Sequence, residues 1–107
     1  MKRGSIVLAA ERGQYTGKPR PWLVVQNGEM LDSPSSVTVC AISTDQRRAS
    51  FRVPIAPSDA NGLDQSSMIL PDKILTIRGD SVVEEIGEAD EATMLRVDAE
   101  LRFWLDL

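Results

Sequence analysis

What most constrains the fold of this chain is its punctuation. Short runs of β-branched and apolar residues are cut off, again and again, by Gly, Pro, Asn, Asp and Ser. That pattern predicts a mainly β protein of many short strands. Strands are expected at Ser5–Ala9, 22–26, Ser36–Ser43, 51–55, 67–70 and 74–77, with a last short one at 82–86. Both alternating sets of the third strand, Val37/Val39/Ala41 and Thr38/Cys40/Ile42, are largely apolar, so it should lie centrally with both faces covered. Residues 11–21, with Gly13, Gly17, Pro19 and Pro21, read as a long basic loop, and Asn27-Gly28 ends the second strand. The connection 45–50 and the Pro/Asn/Gly-rich stretch 56–64 are further loops. Pro71 lacks an N–H and must sit at an edge, a bulge or a strand end, so it is expected to separate two strands.

The period changes at the C-terminal end. Asp90 suits an N-cap and Glu91 complements the helix dipole. Met94, Val97, Leu101 and Trp104/Leu105 then recur at helical spacing, predicting one amphipathic helix over Glu91–Leu105 with Arg96, Glu100 and Arg102 outward. Trp104 with Phe103 is expected to anchor that helix, Trp22 is expected in the core or in dimer packing, and Phe51 in the core or stacked on a base. The 107 residues make one domain, 1–107: a small barrel with one packed helix.

Composition narrows the chemistry. No apolar run nears the ~18 residues that cross a bilayer, and Ile6–Ala10 ends too soon at Glu11 for a signal peptide, so no membrane partner is expected. The single Cys40 cannot form an internal disulfide, which suits the cytoplasm, and it reads as a buried, inert residue. There is no histidine, which removes the usual general base and zinc ligand and every Ser/His or Cys/His nucleophile. No metal and no cofactor is therefore expected, and any catalysis falls to Arg, Lys, Asp, Glu, Ser, Thr or Tyr. Net charge is −4, but the acid is concentrated late: residues 1–52 hold eight basic against four acidic side chains, while residues 84–107 hold two against eight. A basic face on the first half is compatible with nucleic acid, because affinity follows local Lys/Arg rather than whole-chain charge.

Five ordered segments carry a resemblance. They are Arg3-Gly4-Ser5-Ile6-Val7; Gly17-Lys18-Pro19-Arg20-Pro21 running on through Trp22 to Asn27; Val37 through Thr44; Asp72-Lys73-Ile74-Leu75-Thr76-Ile77; and Gly87 through Leu101. Together they resemble the MazF/PemK (Kid) toxins of type II toxin–antitoxin systems. The resemblance implies a small SH3-like (PemK/CcdB-type) barrel with a C-terminal amphipathic α-helix. It also implies a growth-inhibiting endoribonuclease that cleaves single-stranded RNA without a metal. In that reaction the ribose 2′-OH attacks the adjacent phosphorus and leaves a 2′,3′-cyclic phosphate. The partners implied are single-stranded RNA, a second copy of the chain in a homodimer, and a cognate antitoxin whose acidic disordered tail competes with RNA. This chain departs from the pattern at Ser5, where an acid is common, at Lys73 for Gln, at Leu75 for Arg, and at Leu70, where the Kid subgroup has Arg.

Residue by residue, Arg20 matches the family arginine. Its planar fork suits two phosphate oxygens, and Pro19 and Pro21 narrow its backbone freedom. Ser43 and Thr44 close the third strand: either hydroxyl bonds the scissile phosphate or the 2′-OH, or the pair caps the Asp45 turn. Asp72 matches the acid proposed as base in the Kid subgroup; its alternatives are organiser of Arg20 or of RNA hydroxyls, or turn residue. Lys18, Arg47, Arg48, Lys73 and Tyr15 are candidates for RNA contact, Arg47-Arg48 reading equally as a charged hairpin loop. Two other functions remain on sequence grounds, a CcdB-like gyrase poison and a catalytically silent barrel that only binds.

Overall fold

The computed structural model describes residues 1–10, 18–47 and 49–107; Tyr15 and Arg48 lie outside the described residues. Six strands form one antiparallel sheet: β1 (Ser5–Ala9), β2 (Arg20–Val24), β3 (Ser36–Ser43), β4 (Val53–Ile55), β5 (Ser67–Arg78) and β6 (Val82–Glu88), followed by α1 (Glu91–Leu105). The spatial order is β4-β5-β3-β2-β1-β6, so β3 is indeed interior. The two edges are brought together by the connection after β4, where the Glu88 amide donates to the Ala60 carbonyl at 2.9 Å. This seam closes the barrel and covers edges that would otherwise invite pairing with another chain.

The sheet is buried on both sides. Ile6, Leu23, Cys40, Ile42, Ile69 and Val97 form one cluster, against which Met94 and Leu101 of α1 pack. Val7, Trp22, Val24, Val37, Val39 and Ile77 form the other. Adjacent residues of a strand point to opposite faces, so neighbours such as Ile6 and Val7 join different clusters. That is why both faces of β3 read as apolar. Trp22 is in the core as expected, its indole N–H donating to the Ala9 carbonyl at 3.0 Å. Cys40 is fully buried, and burial pushes its thiol up to about 12. A thiolate is thus absent at neutral pH, and iodoacetamide should leave Cys40 unmodified until denaturant is added, a result read directly by mass spectrometry.

Three strand expectations need correction. Strand β2 begins at Arg20 rather than 22, because Arg20 and Pro21 pair with Ala9 and Leu8 of β1 beyond the point where β3 joins. Pro21 is tolerated there because its missing N–H faces no β3 partner. Strand β4 is shorter than expected. The two strands expected around Pro71 are one, β5, with a bulge: Cys40 pairs with Ile74 while Ala41 pairs with Leu70, which leaves Pro71, Asp72 and Lys73 unopposed. Of the three positions allowed for Pro71, the bulge is the one realised.

Helix α1 has the expected bounds. The Asp90 carboxylate accepts from the Thr93 amide at 2.7 Å, a cap of about 1 kcal/mol. Its anchor differs from the expectation: Val97, Met94 and Leu101 hold it to the sheet, while Phe103 is 69% and Trp104 47% exposed. Trp104 instead rests on Phe51, ring centroids 5.1 Å apart. The departure at Ser5 also has a structural reason. The buried Ser5 hydroxyl donates to Glu85 at 2.6 Å, so β6 supplies the carboxylate across the strand pair. No helix among the described residues is long and apolar enough to cross a membrane.

Candidate active site

At one end of the sheet a hollow of 420 Å³ is walled by Lys18, Arg20, Thr44, Asp64, Gln65 and Ser67, over a floor that includes Leu8 and Ile86. Each wall has its own support. Arg20 is mounted on the first residue of β2 and paired with Ala9, so a regular strand rather than a loop fixes its backbone. Thr44 follows the last residue of β3, and Ser67 opens β5.

Asp64 and Gln65 are held by the connection after β4, which is organised around the buried Asn61. The Asn61 carbonyl oxygen accepts from the amides of Ser58 and Leu63, both at 3.0 Å. Its amide nitrogen donates to the Ala56 carbonyl at 2.8 Å. The same connection presses on β6 so closely that side chains are excluded. A Cβ at Gly62 (φ +71°) would lie 2.1 Å from the Ile86 carbonyl oxygen, and one at Gly87 would lie 2.4 Å from that of Ala60. Glycine is required at both positions.

The sequence candidates fall into three groups. Arg20, Lys18 and Thr44 come together in the hollow. Ser43 does not line it; its hydroxyl oxygen accepts from the Asp45 amide at 3.1 Å, the turn-capping role weighed for it above. Arg47 turns back on its own loop, donating to Asp45 through Nε at 2.8 Å, and this pairing holds the Asp45 carboxyl down to about 2. Asp72 and Lys73 ride on the β5 bulge, Lys73 exposed and Asp72 paired with Arg52 at 3.1 Å. Asp72 is absent from the walls of the hollow; among the described residues the carboxylate that lines it with Arg20 is that of Asp64. Sequence reading passed over Asp64, Gln65 and Ser67. The signal was the polar run Asp64-Gln65-Ser66-Ser67 closing a turn-rich stretch just before a strand.

An antiparallel sheet closed by a loop seam, with one cationic hollow at its end and a single covering helix, describes a class of small β proteins. Over residues 2–105 the chain matches, and belongs to, the family described as PemK-like, MazF-like toxin of type II toxin–antitoxin system. It is 39% identical over 108 residues to a protein of Mycolicibacterium smegmatis named probable endoribonuclease MazF, the alignment covering 100% of this chain and 98% of the relative. It is similar to a solved endoribonuclease in complex with its cognate antitoxin from a mycobacterial species, at TM-score 0.83 and 25% identity, covering 100% of this chain and 96% of that one. The Mycobacterium tuberculosis toxin MazF-mt6 is similar at TM-score 0.81 and 25% identity, over 96% and 97% of the two chains. These likenesses do not favour the gyrase-poison reading.

Proposed function

We propose that the chain is a cytoplasmic endoribonuclease toxin that cleaves single-stranded RNA by internal attack, and that the Arg20 hollow is where it does so. The observation that carries this reading is the meeting of two cations, Arg20 and Lys18, with a hydroxyl, Thr44, and a carboxylate, Asp64, around one concavity large enough for a nucleotide step. Arg20 spans the two non-bridging oxygens and stabilises the charge that builds there as phosphorus becomes pentacoordinate. Thr44 donates to one of the same oxygens and fixes the in-line angle. The ribose 2′-OH gives its proton to the Asp64 carboxylate as the O2′–P bond forms. The P–O5′ bond breaks, and the leaving oxygen, neutralised by the Lys18 ammonium, takes a proton from a water molecule that in turn recovers the proton held by the Asp64 carboxyl. Atoms balance with no metal and no enzyme nucleophile. Asp72 shapes the β5 bulge through Arg52 instead of acting as base.

The toxin works as a homodimer and is silenced by a cognate antitoxin with an acidic tail. The apolar flank of α1 around Leu101, Leu105 and Leu107, beside Ile74, is what a second copy would cover. The basic residues of the hollow are what an acidic tail would neutralise.

The test is a long, unstructured transcript incubated with purified protein in EDTA. Cleavage with 2′,3′-cyclic phosphate ends is expected, and an intact transcript would sink the reading. The two hydroxyls then separate. Thr44→Ala should lower kcat by about 10²–10³, as loss of one oxyanion donor does. Ser43→Ala should leave kcat within about twofold and cost about 1 kcal/mol in denaturant unfolding, as loss of a turn hydrogen bond does. The reverse ranking would reassign the functional hydroxyl.

A further inference from the structure

The ladder between β3 and β5 ends at the pair of Ser43 with Met68. Thr44 and Ser66 therefore lie past its last rung, on two stretches of chain that the sheet no longer holds together. One side chain joins them. The Gln46 amide nitrogen donates to the Thr44 carbonyl at 3.2 Å and to the Ser66 carbonyl at 2.9 Å, the second bond closing a gap of 20 residues in sequence. Both partners only accept, and an amide nitrogen carries two N–H groups, so each is used once and the partners dictate which way the amide faces.

The link spans the nuclease site without entering it. Gln46 does not line the Arg20 hollow, but Thr44 does, and so do Gln65 and Ser67, the two neighbours of Ser66. The turn that carries Gln46 is already ordered, the Ser43 hydroxyl accepting from the Asp45 amide at 3.1 Å and the Asp45 carboxylate from the Arg47 amide at 2.9 Å. Gln46 is exposed, and the gain from two exposed hydrogen bonds is roughly offset by the rotamer freedom a glutamine gives up. The link thus adds little to stability, and its consequence is geometric: it fixes how far apart two walls of the hollow stand.

We propose that Gln46 is a positioning residue for RNA cleavage, setting the Thr44 hydroxyl at its working distance from the wall that bears Asp64, Gln65 and Ser67. It touches no reacting atom and acts through Thr44. The assignment rests on the ribonuclease reading of the Arg20 hollow and deepens it. In-line attack is sensitive to such spacing, a misplacement of about 1 Å being enough to cost about 10²-fold in rate.

Gln46→Met tests this, because it keeps the length of the side chain and removes both N–H groups. On a mapped single-stranded RNA, kcat should fall about tenfold to a hundredfold while KM stays within about twofold, the pattern of a lost transition-state contact. The denaturant midpoint should hold; a large fall would make the link part of the fold's stability and overturn the assignment. In a Thr44→Ala background there is no hydroxyl to position, so Gln46→Met should cost no more than about twofold further. Effects that multiply in full would overturn the route through Thr44. The two acceptor carbonyls share peptide groups with the Asp45 and Ser67 amides. Those two signals should therefore move in the ¹H–¹⁵N spectrum of Gln46→Met, with those of α1 unmoved. Both signals in place would mean that the link does not form. Normal cleavage by Gln46→Met would end the positioning role and leave the nuclease reading standing. An RNA left whole by the wild type, with both signals moved by the substitution, would end the nuclease reading and keep Gln46 as the tie between the two walls.

Discussion

Arg20→Ala should lower kcat on single-stranded RNA by about 10²–10³, the usual consequence of deleting one preorganised stabiliser of developing charge. The melting temperature should fall by at most a few degrees, because the Arg20 side chain is exposed and exposed polar interactions contribute about 1 kcal/mol or less. Arg20→Lys keeps the charge and loses the fork, so it should recover only a minor part of the rate. The loss should fall mainly on kcat, since the guanidinium is most valuable when phosphorus carries its extra charge. Steady-state kinetics on a mapped cleavage site read this directly. A variant that cleaves like the wild type would remove Arg20 from the chemistry, and a variant that unfolds would make it structural.

The second large effect is on stability. Asp72 and Arg52 are only 11% and 18% exposed and pair at 3.1 Å across 20 residues of sequence. Deleting one partner strands the other charge where water reaches it poorly; full burial costs 3–5 kcal/mol, and this partial exposure brings the expectation to roughly 2–3 kcal/mol for Asp72→Ala. In a chain of this size that is a fall in melting temperature of roughly 10–20 °C. The pair is itself imperfectly satisfied: Arg52 Nε and Asp72 Oδ1 are buried without a hydrogen-bond partner among the described residues. The double change Arg52→Met/Asp72→Leu should therefore regain most of the loss, and a double-mutant cycle in denaturant should show strong coupling. Additive single effects would mean that the pair is not a unit. Because Asp72 lies outside the Arg20 hollow, Asp72→Ala at low temperature should keep most of its kcat, which a catalytic base would not allow.

Much of the fold was legible because its signals are local. Alternating β-branched residues gave the bounds of β1 and β3, and Asp90 with the 94/97/101 spacing gave those of α1. Register was not legible. Whether residues 67–78 are one strand or two depends on how β5 meets β3, some thirty residues earlier in the chain, and a proline in a bulge looks in sequence like a proline in a turn. The site divided along the same line. Thr44 sits beside a strand end that sequence could locate, and Arg20 was picked out by its motif although β2 starts two residues earlier than expected. Asp64 reaches them only after the sheet curls and the loop around Asn61 locks onto β6. Asp72 was the reverse case: resemblance to a motif suggested catalysis, but Arg52, immediately before a strand of only three residues, gave no sign that it would claim the carboxylate. Leu75, one of the departures from the family pattern, sits opposite Val39 and packs against the second core cluster, so at that position packing has taken the place of charge.

The seam between the loop after β4 and strand β6 ties two things that most small sheets keep apart. The edge of a sheet is ordinarily its first part to fray, while a binding wall has to stay ordered. Here the Ala60–Glu88 bond and the Gly62 and Gly87 crossings make them the same piece of chain. Any fluctuation that parts the edges also dismantles the wall bearing Asp64 and Gln65. Whatever occupies the hollow, RNA or inhibitor, draws the population away from those open states and so tightens β6 along its whole length.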